Sequence, residues 1–187
     1  MSPPRDVTVL VGSLRKGSWS RKLALALGTL APPGLALAIL PIGDLPFYDQ
    51  DLEDQDPPPS WSAFRGRIAR ADALLFVTPE YNRSVPGVLK NALDVGSRPY
   101  GRGVWAGKPG AVVSVSPGAI GGFGANQHLR QTLASVGVPV LPQPEVYVGG
   151  VDKLFDAEGG IANDGTRGFL EGFMATFGAW IEKNQAG

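Results

Sequence analysis

The chain has 187 residues, 43% of them hydrophobic, enough to bury one core of ordinary domain size and too apolar for a disordered segment. Its 17 Lys and Arg balance 17 Asp and Glu, which argues against a general electrostatic grip on nucleic acid. It has no cysteine, which excludes disulfides, thiolate nucleophiles and Cys-built metal centres. No N-terminal stretch reads as a signal peptide and no apolar run approaches the roughly 20 residues of a membrane span, so the expectation is a soluble cytoplasmic protein without a metal.

In chain order, Asp6 to Val11 is β-branched and nearly continuously apolar, the pattern of a strand buried on both faces. Ser18 to Leu30 reads as a helix with Ser18 as N-cap and Leu23, Ala24, Leu27 and Leu30 on one face. Leu35 to Leu40 is a second strand. Pro41 to Ser60 is acidic and proline-rich and reads as a long loop, either a solvated connection or, in its "DLPFYD" part, a subunit contact. Trp61 to Ala71 reads as a helix and Ala73 to Thr78 as a third buried strand. A helix follows from Pro86 to Val95, with proline in the first turn, where a missing N–H costs least. Gly110 to Ser114 is a fourth strand and Asn126 to Val136 a helix. Val138 to Val148 is a fifth strand segment broken by Pro142 and Pro144, and Thr166 to Glu182 is a C-terminal helix with Phe169, Phe173, Phe177 and Trp180 on one side.

The strict alternation of strand and helix predicts one α/β domain over residues 1–187, a flavodoxin-like, doubly wound parallel sheet of five strands in the order 2-1-3-4-5. Ligands of such sheets bind beyond the carboxyl ends of the strands, which directs attention to three loops.

The first loop, "GSLRKGSWS" from Gly12 to Ser20, spaces its glycines like a nucleotide P-loop but has Ser18 where the lysine belongs and Trp19 where the hydroxyl belongs. It is a strand-to-helix turn offering Ser13, Arg15, Ser18 and Ser20 to a helix N-terminus, a donor set that suits a terminal phosphate monoester. A polar turn with a capping serine accounts for it equally well. The second loop, "TPEYNRSVPG" from Thr78 to Gly87, has prolines that stiffen it, the π-face of Tyr81, and the donors and acceptors of Asn82, a surface fit for the polar edge of a flat heterocycle. The alternative is a plain surface turn. The third, "SPGAIGG" from Ser116 to Gly122, lets backbone approach a ligand closely, as many glycine-rich loops with no ligand also do.

Taken together, "GSLRKGSWS", "PEYNRSVPGVLKNALD" and "SVSPGAIGG" at these spacings resemble the NAD(P)H-dependent FMN reductases, and more narrowly the bacterial quinone and chromate reductases of that family, over roughly residues 6 to 180. The resemblance implies that Ser13, Arg15, Ser18 and Ser20 hold the FMN phosphate, that Pro79, Glu80, Tyr81 and Asn82 border the isoalloxazine, and that Ser116 and Gly118 close its other side. The family often has asparagine where this chain has Ser20; serine keeps a donor there. Flavin chemistry also explains the shortage of nucleophiles and bases, because the cofactor carries the reaction and the protein binds and orients it. No catalytic side chain is then expected. Arg83 is a candidate contact for an anionic acceptor or a cofactor phosphate, or simply a solvated loop arginine. His128 is expected on a helix surface without a catalytic role, and Lys90 with Asp94 as a surface pair.

The implied activity is ping-pong, two-electron reduction of an acceptor by NADH or NADPH, with quinones, chromate, ferric complexes, azo dyes and free flavin all open as acceptors. The rival reading is a flavodoxin-type electron carrier without substrate turnover, against which the neutral charge and the Arg15–Lys16 pair argue. A homodimer or homotetramer is implied, with the helix after "PEYN" and residues near Glu145 and Tyr147 at the contacts.

Overall fold

The computed structural model describes residues 3–185. Five parallel strands form one sheet in the order β2-β1-β3-β4-β5. They are β1 (Arg5–Val11), β2 (Leu35–Ile39), β3 (Ala73–Pro79), β4 (Gly110–Val115) and β5 (Val146–Val148). The helices are α1 (Trp19–Leu30), α2 (Gln50–Gln55), α3 (Pro59–Arg70), α4 (Gly87–Gly96), α5 (Phe123–Ser135) and α6 (Asp164–Gln185). The flavodoxin-like order is the one expected.

The alternating side chains of each central strand feed two separate cores. On one face Val7, Val9, Leu75 and Val113 meet α1 and α6 through Leu23, Leu27, Phe173 and Phe177. On the other Leu10, Leu74, Phe76 and Val112 meet α3, α4 and α5 through Trp61, Ile68, Leu89 and Leu129. These strands are covered on both sides, so an apolar run rather than an alternating pattern specifies them. Each fully buried side chain of this size contributes about 1.5–3 kcal/mol by leaving water.

Three sequence expectations are corrected. The fifth strand does not run from Val138 to Val148: Pro142 and Pro144 lack the N–H a ladder needs, so pairing with β4 is confined to Val146–Val148, and Val140 keeps an isolated bridge to Gly110. The acidic loop contains α2, whose N-terminus is capped by the Asp49 carboxylate accepting from Asp51 N–H at 2.8 Å. Helix α5 begins three residues earlier than Asn126, at Phe123. On α6, Phe173 and Phe177 are buried, and Phe169, one turn earlier on the same side, is 47% exposed. The i, i+4 pair Lys90–Asp94 stands on α4 as expected, at 2.8 Å.

Candidate active site

The parallel strands bring the loops after β1, β3 and β4 to one edge of the sheet. The first is set by Gly12, whose N–H donates to Val77 O at 2.9 Å. A Cβ there would stand 2.7 Å from Thr78 Oγ1, so only glycine lets the first and second loops lie this close. Ser18 then starts α1: its hydroxyl accepts from Arg21 N–H at 3.2 Å. The first turn of α1 holds no acidic residue, leaving the positive end of the helix dipole uncompensated. The Arg15 guanidinium donates to Gly17 O at 3.0 Å, which keeps it against the loop it belongs to.

The second loop is a two-residue hairpin turn. Tyr81 and Ser84 exchange backbone hydrogen bonds at 3.1 and 3.0 Å, and both central residues are left-handed, Asn82 at φ 51° and Arg83 at φ 62°. That is the conformation a type I′ turn requires; asparagine adopts it readily and arginine does not. The turn is braced from one side by Glu80, which accepts from Arg83 Nη1 at 2.8 Å and from Ala125 N–H at 3.1 Å. On the other side the Ser84 hydroxyl bonds His128 Nδ1 at 2.8 Å on the exposed face of α5.

The third loop hangs on a buried polar network. Ser114 Oγ donates to Gly121 O at 2.7 Å, and Asn126 Nδ2 donates to Ser114 Oγ and to Val146 O at 3.2 Å. Gly121 has φ +65°, and a Cβ on it would meet the Tyr147 carbonyl carbon at 2.6 Å. Beyond it, Gln127 Nε2 donates to Glu145 Oε1 at 3.0 Å and also bonds the Tyr147 hydroxyl. The neighbouring Tyr147 and Gln127 hold the Glu145 carboxyl below its usual range, and burial pushes the Tyr147 phenol up.

Between the three loops lies a cleft of about 190 Å³ walled by Ser13, Arg15, Ser18, Ser20, Pro79, Glu80, Tyr81 and Ser116. This is below the roughly 300–1,000 Å³ of an enclosing ligand pocket, so a ligand of cofactor size would lie partly in the open. Asn82 and Gly118 are not in the wall, though each is the chain neighbour of a wall residue. Gly118 N–H is turned onto Ser116 Oγ at 3.0 Å. Arg83 also lies outside the wall, with its side chain 75% exposed. Sequence reasoning missed Trp19, Val115 and Pro117, which complete the wall. Trp19 is fixed by stacking on Phe155 at 6.0 Å, a contact 136 positions distant that no local pattern announces. Three hydroxyls, the free N–H groups of a helix start and one arginine form a donor set that fits a phosphate monoester.

A five-stranded sheet of this order with a donor-lined cleft at its carboxyl edge defines a flavodoxin-like nucleotide-cofactor protein. The family profile for NADPH-dependent FMN reductase matches residues 5–153, and the chain belongs to that oxidoreductase family, which uses FMN and NAD(P)H. It is 58% identical over 186 residues to a quinone reductase of Pseudomonas putida, with 100% of both chains covered. It is 49% identical over 175 residues to a 2-hydroxy-1,4-benzoquinone reductase of a Burkholderia species, covering 94% of this chain and 95% of the other. The solved structure of FerB, a flavoenzyme NAD(P)H:(acceptor) oxidoreductase from Paracoccus denitrificans, superposes with a TM-score of 0.92 at 44% identity, covering 96% of this chain and 98% of that one.

Proposed function

We propose that the chain is a single FMN-binding domain that works as an NAD(P)H:quinone oxidoreductase, with chromate as a further acceptor. The observation that carries this is the cleft itself, whose hydroxyl and Arg15 donors gather at a helix start free of acidic residues. The relatives named as quinone reductases supply the acceptor class. Bound FMN would supply the two-electron chemistry, accepting hydride from a reduced nicotinamide and delivering it to the acceptor.

The protein's part is to bind and orient. Ser13, Ser18 and Ser20 donate to the phosphate, and Arg15 offsets its charge. Pro79, Glu80, Tyr81 and Asn82 border the ring system, and the braced hairpin turn keeps that edge from shifting. Ser116 would close the opposite side, with Gly118, just outside the wall, holding the Ser116 hydroxyl. The Tyr81 ring, 48% exposed, stands at the mouth, where donor and acceptor enter in turn, so double-reciprocal plots run parallel. Arg83 there attracts anionic acceptors. His128, tied to Ser84, has no role in the chemistry.

In this reading the protein acts in the cytoplasm and assembles as a homodimer or homotetramer. Among the described residues, no helix is long and apolar enough to cross a membrane. Phe47 of the "DLPFYD" loop, 79% exposed, is a side chain such a partner copy would cover. Light scattering across a tenfold dilution tests the assembly, and a fully active monomer refutes it.

The reading of the site is tested on Arg15→Ala. A charge-assisted hydrogen bond contributes about 1.5–3 kcal/mol, so FMN affinity should fall about 10- to 150-fold. Riboflavin, which has no phosphate, should lose much less. Equal losses for the two ligands contradict the assignment.

A further inference from the structure

A second hollow, of about 480 Å³, lies between the β1–α1 loop and the turn after β2, and it shares Ser13 and Arg15 with the cleft. Three cations line it, Arg15, Lys16 and Arg21, together with one carboxylate, Asp44. Among the described residues, none of these three cations forms an ion pair, with Asp44 or with any other acid. The rest of the wall is largely aliphatic, including Leu14, Ile39 and Ile42; Leu14 is 61% exposed.

Cations of one sign gathered in a concave, partly apolar wall repel one another, and the field they share concentrates an anion there. The phosphate cradle does not use them all. Arg15 lines both cavities, whereas Lys16 and Arg21 line the hollow and not the cleft. Aliphatic side chains beside them offer a flat apolar contact of the kind a purine ring buries. Such a combination suits an adenosine that carries a phosphate of its own.

We propose that this hollow binds the adenosine 2′-phosphate end of NADPH, with Lys16 and Arg21 on the phosphate and the aliphatic wall on the purine. The inference rests on the oxidoreductase reading above, because a nicotinamide docked at the cleft carries its adenosine end outward, and the shared Ser13–Arg15 rim joins the two cavities. NADH offers a hydroxyl at that position, to which the two cations gain no charge attraction. Lys16 and Arg21 therefore set the preference between the two donors.

The test titrates the protein as purified with 2′,5′-ADP and with 5′-AMP in a calorimeter. One charged contact is worth at least about tenfold in affinity, so 2′,5′-ADP should bind at least about tenfold tighter than 5′-AMP. The double variant Lys16→Ala, Arg21→Ala should abolish that difference; both residues are exposed, and an unchanged melting curve verifies the fold. The ratio of kcat/KM for NADPH to that for NADH should fall by a similar factor in the double variant. Equal affinity of the wild type for the two nucleotides overturns the proposal. So does a 2′,5′-ADP preference that survives the double substitution, or inorganic phosphate binding as tightly as 2′,5′-ADP. A protein that binds 2′,5′-ADP through Lys16 and Arg21 yet reduces no acceptor keeps this site and refutes the function. One that reduces quinones with no 2′-phosphate preference does the reverse.

Discussion

The Glu80 carboxylate accepts a hydrogen bond from the Ala125 backbone N–H at 3.1 Å, joining the loop after β3 to the first turn of α5. The N-cap residue of α5 is Gly122, which has no side chain to satisfy the free N–H groups of that turn, so Glu80 does so from another element. Removing it should cost about 0.5–2 kcal/mol, the range of a lost helix cap. Glu80→Ala should lower the urea midpoint and weaken FMN binding together. Glu80→Gln retains an oxygen acceptor and should recover part of both. An alanine variant with wild-type stability and affinity would show that the brace is idle.

Arg83 tests the strain in the same turn. Its φ of 62° costs a side-chain-bearing residue about 1–2 kcal/mol. Its partly screened pair with Glu80, 75% exposed on the arginine side, returns about 0–1 kcal/mol. Arg83→Gly should therefore leave stability unchanged or raise it by about 1 kcal/mol, whereas Arg83→Val should lower it. In both variants KM for an anionic acceptor should rise while that for an uncharged quinone holds. Denaturation curves and an acceptor pair decide the matter, and a clear loss of stability in the glycine variant contradicts the strain argument.

Much of this architecture is legible in the residues. Val7 to Val11, Ala73 to Val77 and Gly110 to Val113 are fully covered strands, and continuous apolar runs with turn residues at each end write that plainly. Leu23, Ala24 and Leu27 keep helical spacing, and Ser18 caps the helix it was expected to cap. Helix α2 is hidden because it buries no apolar residue and so has no apolar period. It is held by a cap and by one ion pair to α3, the next helix in the chain. The end of the sheet is hidden because apolar residues from Val138 onward look like a strand until prolines deny them pairing. At the cleft, residue types point to the three loops that line it, yet sequence placed Glu80 at the ring edge without revealing that its carboxylate turns toward α5 and Arg83. The left-handed Asn82–Arg83 pair is likewise invisible, since arginine is not the residue such a turn advertises.

The pair that holds α2 makes its own prediction. Arg65 bridges Glu53 of α2 and donates to Val95 O at 2.8 Å, and the two charged side chains are only 12% and 7% exposed. Arg65→Ala strands a nearly buried carboxylate and should cost about 3 kcal/mol. A loss below about 0.5 kcal/mol, the size of an ordinary surface change, would mean α2 is not anchored this way.

Glu145 gives a pH signature. Its carboxyl lies below the ordinary value of 4.5, first through Tyr147 and then through Gln127, so the folded state favours the charged form. A depressed carboxyl contributes stability that is complete above the ordinary value and is lost as pH falls through the folded one. Glu145→Gln should be less stable than wild type at neutral pH, with the gap constant down to about pH 4.5 and closing below it. A gap that widens on acidification reverses the sign and refutes the assignment.

The central claim is that donor and acceptor exchange electrons through FMN held in this cleft. Anaerobic titration of the FMN-loaded protein with NADPH, followed by 1,4-benzoquinone, tests it in one cuvette. The account predicts that stoichiometric NADPH bleaches the flavin band within the time of one turnover and that stoichiometric quinone restores it. A band that NADPH leaves unchanged, or that quinone fails to restore, contradicts it.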